Sequence, residues 1–146
     1  MAMTEHSPLA LHLSAPLAEA LRRVAAQAYP QECCGLLAGA GEMHITVSDV
    51  VPTANIAENP RETFAIDPQA QFDLLRATRG SEKRVIGHYH SHPDGSAVPS
   101  PRDLDKAYDP EAIWVVVAVE GGMASAPRAF HHPAGSTDFV EVPVVS

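Results

Sequence analysis

The chain has 146 residues, a formal net charge of −8 at pH 7 and only 5% aromatic residues. Its length predicts one domain with one core, and 45% apolar with 19% charged residues is a globular balance that contains no run long enough to span a membrane. The acidic excess speaks against a nucleic-acid partner, and the aromatics are too sparse for a base-stacking surface.

In chain order, residues 1–8 read as a flexible N-terminal tail and residues 9–146 as the single domain. The start Met1-Ala2-Met3-Thr4-Glu5-His6 lacks the basic and apolar regions of a signal peptide, so a cytoplasmic location is expected. Ser14 is placed to cap a helix with Pro16 in its first turn. Leu17, Ala20, Leu21, Val24, Ala25 and Ala28 then form one apolar face until Tyr29-Pro30 stops it. Glu32 to Ala38 predicts a buried strand, Gly39-Ala40-Gly41 a turn, and Met43 to Val51 the hairpin partner.

Pro52 to Arg61 reads as a loop and Thr63 to Ile66 as a short strand. Asp67-Pro68 opens a helix through about Thr78, and Gly80 ends it. Arg84-Val85-Ile86 leads as a strand into Gly87-His88-Tyr89-His90-Ser91-His92-Pro93. A proline-rich loop follows, then a short helix from Ser100 to Tyr108. Ala112 to Val119 is the most apolar run and predicts a central strand buried on both faces. Gly121-Gly122 turns the chain, Ala124 to His132 reads as a strand broken at Pro127, and Phe139 to Val142 as the last strand. Strands and helices interleave, which predicts an α/β fold, a mixed β-sheet flanked by helices.

The chemistry concentrates around three histidines. Side chains alternate along a strand, so His88, His90 and His92 project to one face, where burial without a shared ligand would be costly. Periodicity does not choose two of the three, and His88 stays open as ligand, substrate-facing residue or plain strand residue. Past the loop, Ser100 fits a helix N-cap with Pro101 at the first helical position and Asp103 at the third. Ser100 and Asp103 fit a local capping box equally well, and the two roles are compatible. Two imidazoles and one carboxylate would leave the fourth position of a tetrahedral zinc ion open, as in catalytic sites. Glu32 reads either as a solvated strand-end residue or as a catalytic one. His6, His12, His44, His131 and His132 read as ordinary polar residues, the last two with a weaker claim to form a second cluster.

Cys33 and Cys34 are the only cysteines. Being adjacent they cannot build a disulfide framework, and they lack the second pair of a zinc finger. Reduced, buried thiols are expected, with the alternative that one lines the site beside Glu32.

The run Pro30-Gln31-Glu32-Cys33-Cys34-Gly35-Leu36-Leu37, followed by His90-Ser91-His92, seven residues, Ser100, two residues and Asp103, resembles the JAMM metallopeptidases. These are the catalytic, MPN-plus branch of the JAB or MPN domains, and the short bacterial members are most similar. The resemblance implies a cytidine-deaminase-like arrangement of the mixed sheet and one zinc ion held by His90, His92 and Asp103. It implies Glu32 as general base and Ser100 as hydrogen-bond donor to the oxyanion, in hydrolysis of a peptide or isopeptide bond. The implied substrate is a ubiquitin-like β-grasp protein, a sulfur carrier of the ThiS/MoaD type, cut after its C-terminal Gly-Gly. Phe64, in the Thr63–Ile66 segment, and His88 are candidate substrate contacts, and that segment and the Asp94–Pro99 loop are expected as groove walls. A monomer and a dimer stay equally open. The competing readings are a non-catalytic MPN scaffold and a zinc hydrolase of a small-molecule amide. The intact donor set speaks against the first, and the missing Pro-Cys-x-x-Cys motif against a nucleobase deaminase.

Overall fold

The computed structural model describes residues 9–146, so the tail expected at residues 1–8 lies outside the described residues. Strand β1 (Ala10–His12) precedes helix α1 (Ala15–Ala28). The hairpin β2 (Cys34–Ala40) and β3 (His44–Thr53) follows, then α2 (Pro68–Thr78), β4 (Arg84–His92) and the short α3 (Pro101–Asp105). The chain continues through β5 (Ile113–Glu120), β6 (Met123–Ala124), β7 (Arg128–His131), β8 (Val140–Val142) and β9 (Val144–Val145). Among the described residues these strands form one mixed sheet in the order β9-β1-β3-β2-β4-β5-β7-β8, with β6 paired to the end of β5. The pairs β9–β1, β1–β3 and β4–β5 are parallel, and the others are antiparallel.

The alternation of side chains splits this sheet into two faces. Cys33, Leu37, Tyr89, Val115 and Val117 join Leu21 and Ala25 of α1 in the larger core. Their neighbours Cys34, Trp114 and Val116 face the other way and pack with Phe64 and Phe130. β5 is buried from Ile113 to Val119, as a strand covered on both faces must be. On the α1 face Gly35 lies under the ring of Tyr89, its partner on β4, and a Cβ there would collide with that ring. The tyrosine thus supplies the packing that the glycine lacks.

Most expected elements are present, with differences that have physical causes. α1 and α2 have the expected starts, and Asp67 accepts from Gln69 N–H as a true N-cap. Ser14 occupies the N-cap of α1 without a side-chain cap bond, leaving Pro16 as the start signal. Thr63 to Ile66 is not a strand: its ladder consists of the single bridge between Ile66 and Asn55. α3 ends at Asp105 rather than Tyr108. The strand expected from Ala124 to His132 is two pieces, β6 and β7, separated around Pro127. β1 and β9 are too short to carry a periodic signal and are held by each other and by the outer edge of β3.

Candidate metal centre and catalytic cleft

β4 and α3 bring the principal side chains together. Parity along β4 sends His88, His90 and His92 to the face opposite α1, and the parallel partner β5 places Trp114 beside His88 and Val116 beside His90. His90 Nε2 and His92 Nε2 lie 3.1 Å apart, and Asp103 Oδ2 lies 3.0 Å from the first and 3.2 Å from the second. All three residues are buried. Donors sharing a tetrahedral zinc ion at bond lengths of about 2.0–2.1 Å stand about 3.3 Å apart, so this triangle has the right size.

The chemistry of the donors agrees with that fit. A neutral His92 that donates Nδ1–H to Ser96 O, 3.0 Å away, turns the lone pair of Nε2 toward the Asp103 carboxylate. Two lone pairs so close call for a cation between them, a proton on the ring or a metal ion. Burial pushes Asp103 up, but the hydrogen bonds from His90, His92 and Ser100 N–H win and hold the carboxyl well below the usual carboxylate range. Burial pushes His90 below its ordinary value, which favours the neutral ligand form. Burial also opposes a charged His92, yet the Asp103 and Glu32 carboxylates hold it above its ordinary value. The cluster is suited to holding one zinc ion.

The capping reading of the Ser100–Asp103 pair holds, and the carboxylate also reaches both histidines. Ser100 Oγ accepts from Asp103 N–H at 3.1 Å, and Ser100 N–H donates to Asp103 Oδ2 at 2.8 Å, a complete capping box at the start of α3. The cap therefore aims the same oxygen that meets the histidines.

Glu32 stands one strand away, just before β2, and is 6% exposed. A carboxylate oxygen of it and a ring nitrogen each of His90 and His92 lie within 4.8 Å of one another. Its Oε1 is buried without a hydrogen-bond partner, and burial pushes its pKa up to about 7. The solvated reading of Glu32 is thereby excluded. Glu32, His92 and Ser100 open into a cleft of about 580 Å³ whose further walls include Arg61, Glu62, Arg102 and the 93–99 loop. Asp94, Ser96, Val98 and Pro99 of the loop expected as a groove wall line this cleft. Arg61 and Glu62 line it as well, whereas Thr63 to Ile66 do not.

The remaining candidates lie outside this cleft. Phe64 is buried and stacks flat on His90 at 4.3 Å between ring centres, behind the donors. His88 packs edge-on against Trp114 at 4.3 Å and lines a separate cavity of about 460 Å³, and burial pushes its pKa down to about 3. His12 and His44 bond each other at 3.0 Å. Among the described residues, His131 and His132 do not join the metal-type donors gathered around His90 and His92. Both cysteines are buried. Cys33 faces the α1 core with its thiol pushed up to about 11 by burial, and Cys34 directs Sγ to Ala54 O and Thr53 Oγ1.

Three further residues support the site. Asn55 Nδ2 donates to Glu32 O and Thr63 O, while its Oδ1 accepts from Ala57 and Ala65 N–H, tying the 55–65 loop to the glutamate. Ser91 Oγ accepts from Cys33 N–H at 2.8 Å, tying β4 to the residue after Glu32. Lys106 donates to Thr63 Oγ1 and Phe64 O and lies over the Phe64 ring, which stacks on His90. An asparagine in a polar loop and a lysine after a short helix carry no local pattern. The signal was legible only in Ser91, between two histidines.

A mixed sheet that gathers two histidines and a capping aspartate, with His92 and a buried glutamate lining the adjoining cleft, defines a domain with a mononuclear zinc site of hydrolytic type. The chain belongs to the prokaryotic homologs of the JAB domain, whose family pattern matches residues 14–131. It is 34% identical to the desampylase of Haloferax volcanii over 66% of this chain and 68% of that protein. It is 35% identical to a probable TtuB-protein conjugate cleaving protease of Thermus thermophilus over 87% and 79%. A CysO-cysteine peptidase of Mycobacterium tuberculosis is 30% identical over 74% and 73%. The solution structure of a Desulfitobacterium hafniense protein superposes with a TM-score of 0.79 at 28% identity, covering 92% of this chain and 91% of that one. A JAB1/MPN domain protein of Archaeoglobus fulgidus shares the fold at a TM-score of 0.58 and 18% identity, over 94% of this chain and 100% of that one.

Proposed function

We propose that the chain is a cytoplasmic, zinc-dependent JAMM-type metallopeptidase with residues 9–146 as its single catalytic domain. It hydrolyses the peptide or isopeptide bond after the C-terminal Gly-Gly of a ubiquitin-like sulfur-carrier protein. The observation that carries this reading is Glu32: a carboxylate with no partner at Oε1, raised to about 7 and facing two convergent histidines. A residue kept at that cost is poised to move protons at neutral pH. The names of the three relatives support the substrate class: one is a desampylase, one a protease that cleaves TtuB-protein conjugates and one a CysO-cysteine peptidase.

In this reading His90 Nε2, His92 Nε2 and Asp103 Oδ2 hold the ion. When bound, zinc supplies a Lewis acid and lowers the pKa of a water to about 7. Glu32 takes the proton from the water that attacks the glycine carbonyl carbon. It then delivers a proton to the leaving amine as the C–N bond breaks. Ser100 Oγ, which accepts from Asp103 N–H, keeps its own hydroxyl proton for the carbonyl oxygen as that gains charge. Phe64 and His88 form the wall behind His90 and reach the substrate only through it. Neither cysteine serves as nucleophile, and two free thiols suit a reducing compartment.

Intact-mass analysis of a ThiS-like carrier extended past Gly-Gly tests this directly. Zinc-loaded protein should remove only the residues after Gly-Gly, and a chelator should stop it. A chain that holds one zinc yet leaves such carriers uncut would refute the peptidase reading and favour a scaffold.

A further inference from the structure

The two histidines of the donor triangle are oriented by different means. A metal-binding histidine almost always donates its second ring N–H to an oxygen, which fixes the ring. His92 does so, with Nδ1 3.0 Å from Ser96 O. His90 does not: its Nδ1 is buried and has no hydrogen-bond partner among the described residues. What lies against its ring instead is Phe64, stacked at 4.3 Å between centres with 19° between the planes. Phe64 has almost no strand to hold it, since Asn55–Ile66 is the single bridge of its segment. Its carbonyl oxygen and Thr63 Oγ1 accept from Lys106 Nζ at 2.6 and 2.8 Å, and the same ammonium lies 4.5 Å from the centre of the Phe64 ring. A cation at that distance is attracted by the ring face, most strongly where water is scarce. Lys106 N–H in turn donates to Asp103 O at 2.9 Å, closing the helix that carries the third donor.

We propose that Lys106 is a positioning residue of the metal centre: it holds the Phe64 ring against His90 and so takes the place of the hydrogen bond that Nδ1 lacks. The ammonium grips the Phe64 segment through two oxygens and the ring itself, which leaves that ring little freedom. The imidazole of a histidine turns readily about its last torsion. A ring stacked on it restricts that turn, which would swing Nε2 away from Asp103 Oδ2, 3.0 Å distant. Lys106 is also the C-cap of α3, so the direction of His90 and the placement of Asp103 depend on one residue. This inference rests on His90 being a zinc ligand and not on which bond is cut.

Zinc affinity of the full chain, measured by competition with a chromophoric chelator, tests this without turnover. Lys106→Met should raise the zinc Kd about 10–100-fold, the range found when a group supporting a metal ligand is removed. Lys106→Arg keeps the charge, the donors and the attraction to a ring face, and should recover most of the loss. Phe64→Leu should weaken zinc binding to a similar extent. Adding Lys106→Met to it should cost little more, because the lysine acts through the ring. The visible bands of the cobalt-substituted protein should shift in Lys106→Met and stay in place in Lys106→Arg. A lysine that merely braced a loop would lower the urea midpoint and move neither the bands nor the Kd. Where Lys106→Met does not fold, Lys106→Gln, which keeps an amide donor and loses the charge, takes its place. Unchanged zinc affinity on loss of the charge, or losses from Lys106→Met and Phe64→Leu that add in full, would overturn the inference and leave the metal centre standing. A parent chain that takes up no zinc would bring down both.

Discussion

The two faces of the sheet are made by the same strands and obey opposite rules. On the α1 face, Leu37, Tyr89, Val115 and Val117 are apolar or nearly so and are packed by Leu21 and Ala25. One residue along each strand, on the other face, Cys34 and Val116 pack with Phe64 and Trp114, and His90 meets the buried Asp103 near the buried Glu32. The first face gains from burial, about 25 cal/mol for each Å² of apolar surface. The second loses by burying polar groups, and recovers the loss only where they find partners. The lesson is a division of labour within three strands: the α1 face supplies the stability that the histidine face consumes.

That contrast predicts which changes remove chemistry and which remove stability. His90→Ala takes the most deeply buried donor from the triangle, so zinc content by elemental analysis and hydrolysis should both be lost while circular dichroism still reports the sheet. Glu32→Gln comes next. It should keep zinc at one per chain and lower kcat by about 10²–10⁴-fold, because it deletes the base and not a donor. Its stability effect has the opposite sign. Glu32 is raised from 4.5 to about 7 by burial, so the stability it contributes is complete below pH 4.5 and lost as pH rises through 7. Metal-free Glu32→Gln should therefore unfold at higher denaturant concentration than the parent at pH 8, by roughly 1–3 kcal/mol. For the same reason kcat/KM of the parent should fall about tenfold per pH unit below 7, as the base becomes protonated. That acid limb should be absent in Glu32→Gln.

Ser100→Ala should cost about 10²–10³-fold in kcat if the hydroxyl donates to the oxyanion. The lost cap should cost about 1 kcal/mol. A stability loss with unchanged kcat would reduce Ser100 to its capping role. Leu37→Ala, on the far face, should have the smallest effect on hydrolysis. It should destabilise by about 2–5 kcal/mol in urea melts and leave kcat per bound zinc unchanged.

What the sequence made legible follows from how local each signal is. Alternation along His88 to His92 and the Ser100–Asp103 spacing are short-range patterns: the first puts three histidines on one face without choosing two, the second reads as a cap, and only the resemblance to the JAMM pattern implies His90, His92 and Asp103 together. Glu32 needed more, because its burial depends on Asn55 and the 59–62 turn closing over it, which no window around residue 32 contains. The expectation of a strand at Thr63 to Ile66 failed for a related reason. That segment is held by side chains, Asn55 and Lys106, and its backbone has almost no strand to pair with. Strand β4 hides a further irregularity: its register against β2 shifts between Gly87 and Val85, leaving Ile86 unpaired. Ile86 accordingly joins the α1 core, although its even number would put it with the histidines.

The Asp103 oxygen that completes the donor triangle is set by a contact only three residues long, the box with Ser100. His92 and Asp103 are eleven positions apart, so an ion that joins them closes a short loop whose far end is already anchored, and loop-closure entropy opposes it little. Loading and unloading the ion is therefore a local event in the chain's conformational landscape. Unlike small domains that unfold when stripped of zinc, this one should exchange its metal with the sheet intact, leaving the zinc supply free to set how much of the protein is active.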